Sequence, residues 1–476
     1  MTLGDLHDGG RSIALFILSV AMIVIVIQNS VYLAQLIKSI RTRRKEPLRV
    51  GTALDMWTRQ GRAAIPVSVI APAFNEELTI VESVRALLSL NYPEFEVIVI
   101  NDGSPDSTLQ TLIDNFGLVP ANREQIAAIA HNPLRGVYTS PDHPKLLVLD
   151  KVNGRKADAV NAGLNFASMP LICVIDADSL IEADGLLRTT EPFLTDDGDL
   201  VAVGGTIRIT NGCAIGGGVV NRVGIPKSWV VRIQLLEYLR AFMIARVAMS
   251  RWSMLMLISG AFGVFKRTAV IEAGGYRHDT VGEDLELVVR LHRLGYETGR
   301  PYRVEFVPDA ICWTEAPETI AGLRNQRARW QQGALETLSN HRGMIFNRRY
   351  GKIGMVGMPL IFVEDVLGPL AELVGYALLP VLLVMGWAEP GLVAAFFCVS
   401  LLFGTALGLG AIAHEELQMR RTSSFRDFAI LGLCAFVENF GYRQMCACFR
   451  VLGIWKFYKK DTKWAAVPRV GFNKST

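Results

Sequence analysis

The chain has 476 residues, half of them hydrophobic and only 20% charged, with a net charge of +4. That length exceeds one ordinary domain, and charge below the roughly one quarter usual in soluble domains points to lipid contact. So small a net charge excludes nucleic acid as an electrostatic partner. The seven cysteines (Cys173, Cys398, Cys434, Cys446 and Cys448 lie in apolar runs) show no metal-ligand spacing with histidine and read as reduced packing residues.

The first element is an apolar run within Ser12–Ile37. It supplies the ~20 residues that cross a bilayer, and it is too long, without a small-residue cleavage site, for a signal peptide. Asp5 and Asp8 precede it, and Arg41, Arg43, Arg44 and Lys45 follow it. The positive-inside rule then carries the helix from outside to cytosol. The segments are a transmembrane helix over 1–40, a basic linker over 41–64, an α/β domain over 65–345, apolar helices over 346–450 and a basic tail over 451–476.

From Ile65 the composition becomes that of a soluble α/β domain. Strands are expected at Val67–Ala71, Glu96–Ile100, Leu146–Leu149, Leu171–Ile175 and Val201–Gly205. Helices are expected at Glu76–Leu90, Ser104–Phe116 and Lys156–Ala167. Strand–helix alternation implies a mostly parallel sheet covered by helices, with ligands at the carboxyl ends of the strands. Trp229–Met249 is amphipathic, broken by Arg232, Glu237, Arg240 and Arg246. It fits either a core helix or one lying at the membrane surface.

After Tyr350 the chain is apolar again. Ile353–Trp387 fits one tilted span, an interfacial helix followed by a span, or two crossings. Leu392–Ala413 and Phe428–Cys448 each have the length of a span. With every run crossing once, the basic Lys456, Lys459, Lys460 and Lys463 would end outside, against the positive-inside rule. Either the first run crosses twice or Phe428–Cys448 does not fully cross. Glu364, Glu372 and Glu438 would line a polar path or join helices by hydrogen bonds.

The chemistry-bearing residues cluster at the predicted strand ends. Asn75, Glu76, Asp102 and Ser104 suit nucleoside contacts, with helix caps as the alternative for Asn75, Asp102 and Ser104, and Gly103 permits a tight turn. Lys156, after Asn153-Gly154-Arg155, stands at a helix start that favours phosphate. Asp176 and Asp178 are two apart, so both project from one face of a strand end, either toward a hard divalent ion or into a solvated loop. Glu283 and Asp284 open a helix over Leu285–Leu294 that Gly295 closes, and a carboxylate there fits a cap or an ionised general base. Gln326, Arg329 and Trp330 share one helix face. Arginine suits phosphate and tryptophan a sugar ring, although Arg327 and Arg329 also fit membrane-surface anchors.

In this order, Phe74-Asn75-Glu76, Asn101-Asp102-Gly103, Lys156, Asp176-x-Asp178, Gly282-Glu283-Asp284 and Gln326-x-x-Arg329-Trp330 resemble the motifs of the family 2 processive glycosyltransferases. That group includes cellulose, chitin, hyaluronan and poly-N-acetylglucosamine synthases. The resemblance spans about Ile65 to Leu338. It implies an α/β GT-A (Rossmann-like) domain inserted between transmembrane helices, in a multi-pass protein of the cell (inner) membrane with its catalytic domain cytosolic.

On that resemblance Asn75, Glu76 and Asp102 lie near the uridine of a UDP-sugar, and Lys156, Asp176 and Arg329 near its diphosphate. Asp178 holds Mg2+ or Mn2+. Asp284, with Glu283 beside it, is the catalytic base of an inverting transfer. Trp330, Gln326 and Gly260, within Ser259-Gly260-Ala261-Phe262, face the acceptor. The product would be a β-linked polysaccharide, from UDP-N-acetylglucosamine first and UDP-glucose next, passed through the protein's own helices. Single-sugar transfer to a membrane lipid is the alternative; a transporter or scaffold with an inactive nucleotide-binding domain is disfavoured by the full set of acidic residues. Accessory secretion proteins or a homo-oligomer are compatible partners.

Gly282 departs from the threonine of many cellulose and poly-N-acetylglucosamine synthases, so the motif does not fix the donor. Ala121–Pro144 and Cys213–Gly218 carry no assigned role. No cyclic-dinucleotide receptor domain is evident after the last apolar run, which argues against a regulated cellulose synthase.

Overall fold

The computed structural model describes residues 3–45, 63–419 and 425–460. Most of the basic linker, and the tail from residue 461 with Lys463, lie outside the described residues, as do the side chains of Asp5 and Asp8. A long helix α1 (Leu3–Lys45) leads into the α/β domain. Its strands are β1 (Val67–Ala73), β2 (Phe95–Asn101), β3 (Val119–Pro120), β4 (Leu134–Thr139), β5 (Leu146–Lys151), β6 (Leu171–Ile175), β7 (Leu180–Ile181) and β8 (Leu200–Ile209). A short hairpin, β9 (Ala214–Gly216) and β10 (Val219–Arg222), is followed by β11 (Phe262–Lys266) and β12 (Arg303–Thr314).

Ten strands form one sheet in the order β3-β4-β5-β2-β1-β6-β11-β8-β12-β7. The β5-β2-β1-β6 half is parallel. β11 then runs antiparallel to both β6 and β8. The sheet is thus mixed, where alternation predicts mostly parallel pairing. β11 begins directly after the Ser259-Gly260-Ala261 turn, so an antiparallel strand joins the sheet at the site. Ala121–Pro144 proves to carry β4, the second strand from one sheet edge, and Cys213–Gly218 contributes β9.

The parallel strands are buried along their whole length. Burial on both faces is what continuous Val/Ile/Leu runs are for. Helices α2 (Ile80–Leu88), α3 (Thr108–Phe116), α4 (Arg155–Phe166) and α5 (Gly185–Leu194) flank the sheet. The first two begin four residues after the predicted starts Glu76 and Ser104. Asn75, Asp102 and Ser104 therefore do not stand as helix N-caps.

The amphipathic run is α6 (Trp229–Leu239), a π-helical stretch Arg240–Arg246 and α7 (Val247–Arg251). It is a packed interface element: Leu236, Leu239 and Ile244 join Ala411, Ile412, Leu431 and Ala435 in one cluster. After α8 (Arg267–Glu272) come α9 (Glu283–Glu297), which continues through Gly295, and α10 (Ile320–Asn340).

Beyond α10 the first apolar run is one path of π and α turns. It includes α11 (Met358–Ile361) and ends in α12 (Gly368–Val384). Next are α13 (Pro390–Met419), α14 (Phe425–Val437) and α15 (Tyr442–Lys459). Among the described residues two helical segments are long and apolar enough to cross a membrane, Gly9–Thr42 and Ile353–Val384; Leu401–His414 is apolar but shorter.

Phe428–Cys448 is not one helix, because Gly441 takes φ 94° and turns the chain between α14 and α15. α15 instead docks on the α/β domain. The Arg450 Nε donates to Gln331 at 2.8 Å, and the Tyr442 hydroxyl donates to Glu237 at 3.0 Å. Glu438 takes both Nη groups of Arg240, and Glu372 accepts from Arg443. These carboxylates brace helices rather than face an open path.

Candidate active site

β1, β2, β5 and β6 run in parallel register, so their carboxyl ends share one edge, where open α/β sheets bind ligands. At that edge Asn75 sits in the left-handed region at φ 58°. Asparagine tolerates this better than most residues. Its N–H donates to the Ser104 hydroxyl at 3.0 Å, and the Glu76 N–H donates to Thr108 at 2.9 Å. The β1 end is thereby tied to the loop after Asp102. Glu76 is buried and accepts from the Thr79 hydroxyl at 2.7 Å.

Asp102 is buried and held from the β5 side. Its Oδ1 accepts from Lys151 at 2.8 Å and from the Gly154 N–H at 2.9 Å; Oδ2 accepts from Asn153 at 3.1 Å. Burial pushes its carboxyl up, against the pull of Lys151 and Gly154. Gly103 adopts φ +66°, and a Cβ there would lie 2.7 Å from the Asn153 nitrogen, so this tight approach requires glycine. Lys151 was not among the expected site residues. It is fully buried, paired with both Asp102 and Asp158. A lysine closing an apolar strand looks in sequence like the strand's exit to solvent; the only cue was its place two residues before Asn153-Gly154.

Lys156 begins the next group. It is paired with Asp176, donates to the Gly260 carbonyl at 3.0 Å and lies 4.0 Å from Glu283. Burial works against its charge, but Asp176 and Glu283 outweigh that and hold the ammonium above the ordinary lysine range. Asp284 is fixed by two backbone N–H groups: Gly260 donates to Oδ2 at 3.0 Å and Leu285 to Oδ1 at 2.8 Å. The Gly260 peptide thus links Lys156 to Asp284. Burial raises the Glu283 carboxyl, with Asp284 adding, while Lys156 and Arg329 oppose. Arg329 therefore acts on this cluster, and Arg327 pairs with Glu237 and stacks 4.6 Å over Trp330. Neither arginine is a surface anchor. Trp330 is 44% exposed, and among the described residues the buried Gln326 Oε1 meets no donor and no hydrogen bond or ion pair ties either residue to the carboxylates.

The loop bearing Glu283-Asp284 is clamped to α10. Glu336 accepts from the Thr280 hydroxyl and the Val281 N–H, both at 2.8 Å. A Cβ on Gly333 would lie 2.8 Å from Gly282 Cα, so the backbones touch. Gly282 is explained by this contact, which sequence alone did not disclose. Gly333→Val is expected to push the loop off the helix and lower turnover about 100-fold, because a displacement near 1 Å carries that cost. UDP affinity should change far less; steady-state kinetics beside a UDP titration check this.

Asp176, Asp178, Glu283 and Asp284 carry more negative charge than Lys156 and Arg329 offset, and Glu283 stays raised despite Lys156. Among the described residues no group of three or more His, Cys, Asp or Glu is arranged to hold a metal alone. A hard divalent ion commonly takes one or two carboxylates and completes its shell with substrate phosphates, so the pair Asp176 and buried Asp178 fits one.

Comparison with known proteins agrees with this geometry. Residues 68–216 match the family model "Glycosyl transferase family 2", and residues 171–407 match "Glycosyl transferase family group 2". The poly-beta-1,6-N-acetyl-D-glucosamine synthase of Staphylococcus epidermidis is 31% identical over 272 residues, covering 57% of this chain and 55% of the relative. That of Staphylococcus aureus is 29% identical over 273 residues, with the same coverage. The chain thus spans about half the length of the curated relatives it matches. A mannosyltransferase from Pyrobaculum calidifontis, solved with GDP-Man and Mn2+, superposes with TM-score 0.53 at 17% identity, over 93% of this chain and 99% of that one. The fold is of the GT-A type, and the chain belongs to the family 2 glycosyltransferases.

Proposed function

We propose that the chain is a membrane-integrated, inverting hexosyltransferase that polymerises a β-linked polysaccharide from a UDP-sugar, UDP-N-acetylglucosamine before UDP-glucose. The observation that carries this is the linked set Lys156–Asp176–Glu283–Asp284–Gly260 at the strand ends, with Arg329 beside it. In the transfer, an acceptor hydroxyl gives its proton to Asp284 as its oxygen bonds to the anomeric carbon. The bond from that carbon to the diphosphate breaks on the opposite face, and UDP leaves with the electron pair. Each Asp284 oxygen keeps a lone pair beyond its N–H contact, so the base is oriented without being blocked. Lys156 and Arg329 take up charge on the diphosphate. Asp178 with Asp176 would hold Mg2+ or Mn2+, which offsets phosphate charge when bound. Asn75, Glu76 and Asp102 contact the uridine; Gln326, Gly260 and Trp330 contact the acceptor.

The choice of sugar rests on the staphylococcal relatives, which are named poly-beta-1,6-N-acetyl-D-glucosamine synthases. Membrane placement is supported by the two long apolar segments. α15 packs against α10, which supports a topology with Lys456 and Lys459 on the catalytic side, free of the charge conflict that three separate crossings would raise. The test is incubation of the purified chain in a bilayer with a panel of nucleotide sugars, followed by sizing and linkage analysis. Long polymer from UDP-N-acetylglucosamine without added lipid acceptor is expected, with loss of at least ~90% of the rate on chelation and recovery with Mn2+ or Mg2+. Transfer of a single sugar to lipid alone would defeat the polymerase assignment.

A further inference from the structure

The amphipathic run from Trp229 widens into a π-helix over Arg240–Arg246. Such insertions are frequent at functional sites, where they re-aim side chains. An arginine stands at each end of the stretch. Arg240 is bound to Glu438 by both Nη groups. Arg246 has no comparable partner: its Nε and Nη1 are shielded from solvent and meet no acceptor among the described residues. The guanidinium lies 3.7 Å over the Phe242 ring, and Tyr238 packs on Phe242 with ring centroids 5.8 Å apart.

Buried guanidinium donors without acceptors are costly, and native proteins seldom keep them unless something else supplies the acceptors. Burial lowers the Arg246 pKa to about 10, and the charge opposing that most strongly is Asp284. Lys156 bears on both Glu283 and Asp284, and Arg329 on Glu283 and Tyr238. Arg246 thus addresses the base with Tyr238 and Phe242 beside it. The ligand that must touch the base there is the acceptor. A sugar unit offers oxygens to the unmet N–H groups and an apolar ring face to the aromatics.

We propose that Arg246 is an acceptor-binding residue whose Nε and Nη1 donate to oxygens of the sugar unit that Asp284 deprotonates. The assignment rests on the transferase function proposed above. The test uses the full chain in a bilayer, with Arg246→Lys and Arg246→Gln. UDP affinity is measured alongside KM for a short β-linked N-acetylglucosamine oligosaccharide added as acceptor. Lysine keeps the charge but lacks the Nε donor, so the acceptor KM is expected to rise roughly tenfold or more in both variants. UDP affinity should stay within about twofold of the parent, which also reports that the variants are folded; if the Gln variant does not fold, the Lys variant decides. A raised dissociation constant for UDP would place Arg246 on the diphosphate and overturn the assignment. So would an unchanged acceptor KM in variants of a parent that extends the oligosaccharide. A parent that extends no acceptor overturns the transferase function and this assignment with it.

Discussion

Asp284→Asn is expected to lower sugar transfer by about 10²–10⁴-fold, the range for loss of a general base, while UDP affinity stays within about twofold. The asparagine amide has one oxygen that can still accept the Gly260 N–H, but its nitrogen cannot accept from Leu285 as the second carboxylate oxygen does. Position is therefore largely kept and basicity is lost. Lys156 loses some opposing charge but keeps Asp176 and Glu283, so the donor side stays assembled. Single-turnover transfer measured beside a UDP titration separates the two effects. Ordinary turnover in the variant would remove Asp284 as the base, and a large drop in UDP affinity would place it on the donor.

Lys151→Met should have the largest effect on stability. The lysine is fully buried between Asp102 and Asp158. Removing it leaves two buried carboxylates without their shared cation, which costs roughly 3–5 kcal/mol. The unfolding temperature should drop on the order of 10 °C. Because Lys151 also fixes Asp102, UDP affinity should fall. Adding Asp158→Asn removes one uncompensated charge and should recover part of the stability but little of the affinity. Thermal unfolding of the two variants checks the first effect and a UDP titration the second. A single variant as stable as the parent would mean that Asp102 and Asp158 do not depend on this cation.

Much of the parallel half of the sheet was legible, because Val67–Ala73, Phe95–Asn101 and Leu171–Ile175 are buried on both faces and so are continuously apolar. β4 was not, since this strand, next to the two-residue edge strand β3, is only partly buried and its Leu-Arg-Gly-Val-Tyr-Thr carries no apolar run. Helix starts were placed too early because Asn75 and Ser104 look like caps but serve as loop ties. Hydropathy also joined α14 to α15. The break depends on the backbone at Gly441, which an averaged apolar signal does not register.

Of the motif residues, Lys156, Asp176, Gly260, Glu283 and Asp284 stand in one linked group. Those that hold them did not announce themselves, because their roles exist only across long sequence separations. Lys151 reaches Asp102, Glu336 reaches Val281, and Gly333 touches Gly282. Arg246 was visible only as a charge interrupting an amphipathic run. Its meaning depends on a π-helical register that composition does not encode.

On the proposed function, groups spread from Asp102 to Arg329 serve one sugar diphosphate. The decisive measurement is UDP affinity in Mn2+ for Lys156→Met, Asp178→Asn and Arg329→Met, singly and in pairs. Each single change should weaken UDP about tenfold or more, as loss of a charged contact does, and the pairs should be non-additive because they share one ligand. Affinities unchanged by the single variants, or strictly additive in every pair, would contradict it.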